Sequence, residues 1–283
     1  MRRHHIQFYL PRDAADWAGQ ALAKAFPDGL LNTPSGRLSR LSAWTRKPLA
    51  PSKLKALRRQ LRSLGAMRVT LRLASVPSWS QKVRASYPIQ RIGRFWIVPL
   101  WKRRGLKLPQ GKAAIYLLQG QAFGTGLHES TRLMLQGLQR LDVQGKVLDV
   151  GAGSGILGFA ALRLGAVSVT SVEVEEAACE EMKANRKSNH IAPSSFRVLQ
   201  GSFPMARARG RYDLLLANLV TPLLEKLMPQ LKEHLAPGGL LLCSGISGRP
   251  QAALVQRAAK RAGLKQASVA SLRGWWRLGF ARP

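Results

Sequence analysis

The sequence predicts an α/β protein: a doubly wound, mostly parallel sheet with a smaller α/β module ahead of it. Three observations carry that prediction. From residue 130 onward, short apolar runs alternate with helical periodicities, the pattern of a parallel sheet covered on both faces. Within that alternation, Lys146-Val147-Leu148-Asp149-Val150-Gly151-Ala152-Gly153-Ser154-Gly155 runs from a strand through an acid into glycines. The first part of the chain also has a composition of its own: residues 1–120 hold 24 basic and 3 acidic residues, against 21 and 11 in the remainder.

Taken in order, residues 6–10 read as a short strand. Residues 14–26 repeat at helical spacing through Trp17, Ala18, Ala21, Leu22 and Ala25. Pro51-Ser52 opens a basic helix over 53–64, with Leu54, Leu57, Leu61 and Leu64 on one face. Alternating Val69, Leu71 and Leu73 make 67–76 a strand. Strand, helix, a further strand, helix, strand is the order of a ferredoxin-like module. A junction follows, with a strand over 95–100 and a basic loop over 102–112 that is the best linker candidate. A strand at 113–118 leads into Gln121-Ala122-Phe123-Gly124-Thr125-Gly126. Helices are then expected at 130–141, 156–164, 176–187, 221–235 and 250–262. Strands are expected at 147–150, 167–174, 196–199, 213–216, 240–244, 266–272 and 275–280. The expected domains are 1–76 for substrate recognition, 77–115 as junction and linker, and 116–283 as the catalytic domain.

The glycine run points to an adenosine cofactor. Glycines let the backbone approach the ligand, and a later carboxylate accepts the ribose hydroxyls. Glu173 lies 22 residues past Gly151, at the end of a strand-like run. A dinucleotide stays open on spacing alone, because Gly153-Ser154-Gly155-Ile156-Leu157-Gly158 also fits G-x-G-x-x-G. Asp149 favours S-adenosylmethionine. A carboxylate two residues before the first glycine suits an ammonium and repels a pyrophosphate.

The net charge is +31, and no acid occurs between Asp28 and Glu129. Such asymmetry suits a polyanion, with ribosomal RNA the obvious candidate, or a proteome of generally basic proteins. Cys179 and Cys243 lie in apolar-periodic segments and are expected to be buried, reduced thiols. No apolar run reaches transmembrane length and no secretory signal is read at the start, so a cytoplasmic protein without membrane contact is expected.

Several motifs in order resemble one family. Residues Ala122-Phe123-Gly124-Thr125-Gly126-Leu127-His128-Glu129-Ser130-Thr131 look like the A-F-G-T-G-x-H-x-T-T stretch of PrmA-type methyltransferases. Asp149 to Leu157 matches D-x-G-x-G-S-G-I-L, and Ala217-Asn218-Leu219 is similar to A-N-I-L. Leu242-Cys243-Ser244-Gly245-Ile246 and Trp275-Trp276-Arg277-Leu278 resemble the family's closing motifs. The resemblance spans roughly residues 77–283 and is much weaker before that. It implies a seven-stranded class I methyltransferase (Rossmann-like) domain that trimethylates amino groups of the eleventh protein of the ribosomal large subunit. Two departures stand out: the chain is strongly basic where typical members are neutral or acidic, and the ribose acid is Glu173 rather than Asp.

The resemblance implies cofactor-binding roles for Phe123, Gly124, Thr125, Gly126, Thr131, Asp149, Gly151, Gly153, Gly155, Glu173, Ser202 and Asn218. Asn218 is also the expected catalytic residue, its amide oxygen accepting from the nucleophilic amine. Thr131 has a cap of the following helix as its alternative reading. His128 is either a base or a residue that orients the loop. The partner is a large-subunit ribosomal protein, and the enzyme is expected to be a monomer that binds no metal. Two rival readings share the fold: an RNA methyltransferase acting on ribosomal RNA, and a non-catalytic ribosome-assembly factor.

Overall fold

The computed structural model describes residues 2–11, 15, 18, 22, 30–35, 37–45, 50–63, 66–75, 87–107, 113–118, 120, 122–203 and 210–283. Two compact units divide the chain, residues 1–86 and 87–283.

In the first unit, β1 (Arg2–Pro11), β2 (Leu30–Ser35), β3 (Leu38–Thr45) and β4 (Met67–Ser75) form an antiparallel sheet in the order β2-β3-β1-β4. Helix α1 (Pro51–Ser63) lies between β3 and β4 in the chain. Alternate residues of β1, Ile6, Phe8 and Leu10, are buried with Leu57 and Leu61 of α1. Ala15, Ala18 and Leu22 are helical and buried in the same cluster. That is the ferredoxin-like arrangement expected. Two strands, β2 and β3, stand where the sequence marks only one. The remainder of the expected 14–26 helix, Leu64 and Val76 fall outside the described residues.

In the second unit a small sheet comes first: β5 (Gln90–Ile92), β6 (Phe95–Pro99) and β7 (Ala113–Leu117). The hairpin β5–β6 turns through Gly93-Arg94, and β6 pairs parallel with β7. The sequence reading misses β5, which is three residues long and too short to show a period.

The main sheet contains β8 (Gly145–Val150), β9 (Ala166–Glu173), β10 (Phe196–Gln200), β11 (Tyr212–Asn218), β12 (Leu235–Ser247), β13 (Lys265–Leu272) and β14 (Trp275–Ala281). Their order is β10-β9-β8-β11-β12-β14-β13, and only β14 runs against its neighbours. The helices are α2 (Glu129–Leu138), α3 (Ile156–Leu164), α4 (Glu176–Ser188), α5 (Thr221–His234) and α6 (Arg249–Arg261). Val147, Leu214, Leu216 and Leu242 are buried in a cluster with side chains of α2 and α3. Leu148, Leu215, Leu241 and Leu278 are buried in another with α5 and α6. Both faces are thus covered, which is why these strands read as continuous apolar runs. Strand β12 starts earlier than expected. Its Pro237-Gly238-Gly239 stretch is a register shift held by Arg282, whose main chain bonds to Gly238 and Gly239.

Candidate cofactor and active site

Strand order reverses between β8 and β11, since β8 continues outward to β9 and β11 to β12. In such sheets the crevice at the carboxyl ends of the strands is where ligands bind. Asp149 pairs in register with Leu216 and Val150 with Ala217, so Gly151 and Asn218 leave the sheet side by side.

The turn after β8 is pinned to β9. Gly151 N and Ala152 N both donate to Val172 O, at 2.9 and 3.1 Å. Gly153 has φ +53, and a Cβ there would overlap the Phe123 carbonyl oxygen. Gly151 has φ +67, and a Cβ there would overlap the Leu219 side chain. Glycine at these two places therefore lets protein segments close over the turn. Gly155 caps α3 in the left-handed region.

Asp149 is buried beneath the start of α3. Its Oδ2 accepts from Gly158 N at 3.1 Å, while Oδ1 has no hydrogen-bond partner. Burial pushes the carboxyl up to about 7; the Gly158 N–H opposes the shift and the Glu173 charge adds to it. Glu173 sits at the end of β9. Its Oε2 accepts from Gly153 N at 2.9 Å, and its Oε1 accepts from Val174 N at 2.7 Å and Glu175 N at 3.1 Å. The expected ribose acid thus also ties the glycine turn to β9. Ser202 lies just past β10, exposed, next to Gly201, whose N–H donates to Glu173 O at 2.9 Å.

Segment 123–131 closes over the turn. Ser154 N donates to Phe123 O at 2.8 Å, and Ser154 Oγ donates to Gly124 O at 2.7 Å. Gln90 Nε2 reaches across from β5 to Thr125 O at 3.0 Å, beside Gly126. His128 caps α2: its Nδ1 accepts from Ser130 N at 3.2 Å. That corrects the reading of Thr131 as the cap; Thr131 lies in the first turn of α2, fully buried. The same bond engages Nδ1 in the cap, which suits the loop-orienting reading of His128. Its ring packs edge-on between Phe123, at 5.4 Å, and Trp275, at 4.3 Å between centroids.

Asn218 ends β11. Its Nδ2 makes a long 3.5 Å bond to Thr131 Oγ1, and its buried Oδ1 has no partner. Two buried carbonyl-type oxygens, one on Asp149 and one on Asn218, are therefore left without donors at adjacent strand ends. Leaving such an atom unpaired costs about 1–3 kcal/mol, so each calls for a donor that the chain does not supply, a water or a ligand.

Sequence reasoning missed the side chains that hold the segment from outside. Glu181, Asn185 and Asn189 recur every four residues on one face of α4 and just beyond it. Glu181 accepts from Gly120 N and Ala122 N. Asn185 accepts from Leu118 N at 2.8 Å and donates to Ser154 O at 3.1 Å. Asn189 exchanges two bonds with the Tyr116 backbone. A legible signal existed: Asn185 is in phase with Ala178 and Met182, a polar residue on the buried face of an amphipathic helix.

The sheet order, with its reversed β14 and the glycine turn after β8, defines the class I methyltransferase fold. A solved structure titled ribosomal protein L11 methylase, from Lactobacillus delbrueckii subsp. bulgaricus, is similar. It has 30% identity and a TM-score of 0.63, over 69% of this chain and 99% of that one. The chain belongs to the ribosomal protein L11 methyltransferase (PrmA) family, whose model matches residues 35–283. That match begins well before residue 77, where the sequence resemblance becomes clear. Two ribosomal protein L11 methyltransferases show the level of similarity. The Pelotomaculum thermopropionicum protein is 36% identical over 201 residues, 70% of this chain and 64% of its own length. The Thermus thermophilus protein is 41% identical over 164 residues, 58% of this chain and 63% of its own length. The matched part is thus just under two thirds of these relatives.

Proposed function

We propose that the chain transfers methyl groups from S-adenosylmethionine to amino groups of ribosomal protein L11, lysine side chains and an N-terminal amine among them. The observation that carries this reading is the pair of donorless buried oxygens, Asp149 Oδ1 and Asn218 Oδ1, flanking the glycine turn. When bound, S-adenosylmethionine supplies a methyl group on a sulfonium, ready for in-line displacement. The residues fit that group. Asp149 holds the ammonium of the methionine moiety. Glu173 keeps free lone pairs for the ribose hydroxyls, Gly151, Gly153 and Gly155 shape the turn, and Ser202 stands near the adenine. Segment 123–131, with Phe123, Gly124, Thr125, Gly126 and Thr131, closes the site against water.

Most of the rate comes from positioning. Asn218 Oδ1 accepts an N–H of the incoming amine and so aims its lone pair. A lysine must first lose a proton from a pKa of about 10.4. A dry site beside a positive charge lowers that value by desolvation and like-charge repulsion, so no strong base is needed. Residues 1–76 serve as the substrate-recognition domain. On α1, Lys53, Lys55, Arg58, Arg59 and Arg62 are all exposed, a surface suited to ribosomal RNA near the substrate. Free, buried Cys179 and Cys243 suit a reducing cytoplasm. No described helix is long and apolar enough to cross a membrane.

The test is calorimetric titration with S-adenosylmethionine and with NAD, followed by a kinetic split. The chain should bind the first and ignore the second. Asn218→Ala should lower methyl transfer by roughly 100-fold, a far larger loss than in cofactor affinity. An unchanged rate would remove Asn218 from the mechanism, and no transfer by the wild type would favour a non-catalytic assembly factor.

A further inference from the structure

Among the described residues outside the candidate active site, one cationic side chain is largely buried with no acidic partner. Arg277, on β14, is 5% exposed, and its Nε has no hydrogen-bond partner. It lies on the α2 side of the sheet: its neighbours Leu278 and Phe280 join the α5–α6 cluster, and a Cβ at Gly137 of α2 would overlap its guanidinium. Another cation, Arg140, is close enough to act on it. Burial and that like charge push the guanidinium below its usual pKa. Among the described residues no acid pairs with Arg277. Cys243 offers no negative charge either, because burial pushes its thiol up to about 12. The carbonyl end of α2 supplies only about half an elementary charge, and Arg140 alone outweighs it.

Arg277 and Arg140 line an open cavity of about 500 Å³, with Gly137, Leu141, Leu242 and Ser268. Ser268 pairs in register with Gly279, two residues along from Arg277 and so on its face, and a Cβ at Gly279 would overlap its hydroxyl. The Ser268 side chain therefore shares the Arg277 face. Two guanidinium groups and a hydroxyl converge with no carboxylate among them. Buried charges in proteins are paired, and an arginine fork matches tetrahedral oxyanions. Free phosphate carries about −1.5 to −2 charge at neutral pH, which balances two arginines, and a backbone phosphodiester carries about −1, which balances the buried one. We propose that this cavity binds a phosphoryl group, either free phosphate or one on an RNA backbone, held by Arg277, Arg140 and Ser268. Its wall is β13–β14, away from the crevice at the β8 and β11 ends, so it is a second site.

The experiment is thermal unfolding of the full chain against inorganic phosphate, with chloride keeping ionic strength constant. The wild type should gain stability saturably. Arg277→Met, which keeps the apolar stem, should fold at least as well without phosphate and weaken phosphate binding by about tenfold or more. Arg257→Gln, exposed on α6, removes an equal charge and should leave the response unchanged. A response that never saturates, or one that Arg277→Met leaves intact, overturns the proposal. If Arg277→Met fails to fold, Arg140→Gln takes its place under the same criteria. Competition with a short fluorescent RNA separates the two sources. Displacement that depends on Arg277 assigns the site to RNA phosphates, and saturable phosphate binding without displacement assigns it to a free anion.

Discussion

Asp149 makes a prediction that depends on sign as well as size. Its carboxyl is pushed up to about 7 from 3.8, because it is buried beneath α3 with one oxygen unpaired. The unfolded chain therefore loses this proton first. Between about pH 4 and pH 7 the native state holds more protons than the unfolded state, so this group's contribution to stability falls as pH rises through that window. Linkage over that shift gives a loss of roughly 4 kcal/mol once the pH passes 7, of which roughly 2.5 kcal/mol falls between pH 5 and pH 8. Asp149→Asn has no proton to lose. Its own fixed penalty, an amide N–H2 where Oδ1 stood, does not change with pH. Urea unfolding of both proteins at pH 5, 6, 7 and 8 isolates the difference. The variant should gain on the wild type by roughly 2.5 kcal/mol across that range, whatever the offset at pH 5. Saturating S-adenosylmethionine should stabilise only the wild type, because the ammonium supplies the missing partner. A gap that stays constant with pH would refute the reasoning, since it would mean that Asp149 is ionised throughout.

Asn185→Ala strips partners from Leu118 N and Ser154 O; it should cost about 2–4 kcal/mol in urea unfolding and weaken cofactor binding, whereas a cost below about 0.5 kcal/mol would show that Asn185 does not hold the segment over the glycine turn. Double reversal on α1, Arg58→Glu with Arg62→Glu, should reduce the slope of log affinity for ribosomal RNA against log salt by about 2 or more. An unchanged slope, measured by fluorescence anisotropy, would place the RNA contact elsewhere.

Much of this was legible because the relevant physics is local. Strands buried on both faces are rich in apolar residues, so 147–150 and 213–216 stand out despite Asp149 and Asp213; Gly153 must be glycine for its positive φ and its contact with Phe123. The acid positions Asp149 and Glu173 followed from cofactor chemistry at fixed spacing. Contacts between distant residues stayed hidden. Nothing in Gln90 says that it bonds to Thr125, 35 residues on. The capping by His128 was missed because histidine is not among the preferred cap residues. Glu173 was read for its ligand role, yet in the fold it also bonds to Gly153, and no pattern in the chain announces that. Arg277 looked like one cation among many; only its burial sets it apart.

The most direct test of the central claim is transfer of a labelled methyl group from S-adenosylmethionine into ribosomes and free ribosomal proteins from cells lacking this protein. Protease and ribonuclease digestion then separate the products. The account predicts label in ribosomal protein L11 alone, in amounts that fall by roughly 100-fold with Asn218→Ala. Label released by ribonuclease, or label in no product at all, would contradict it.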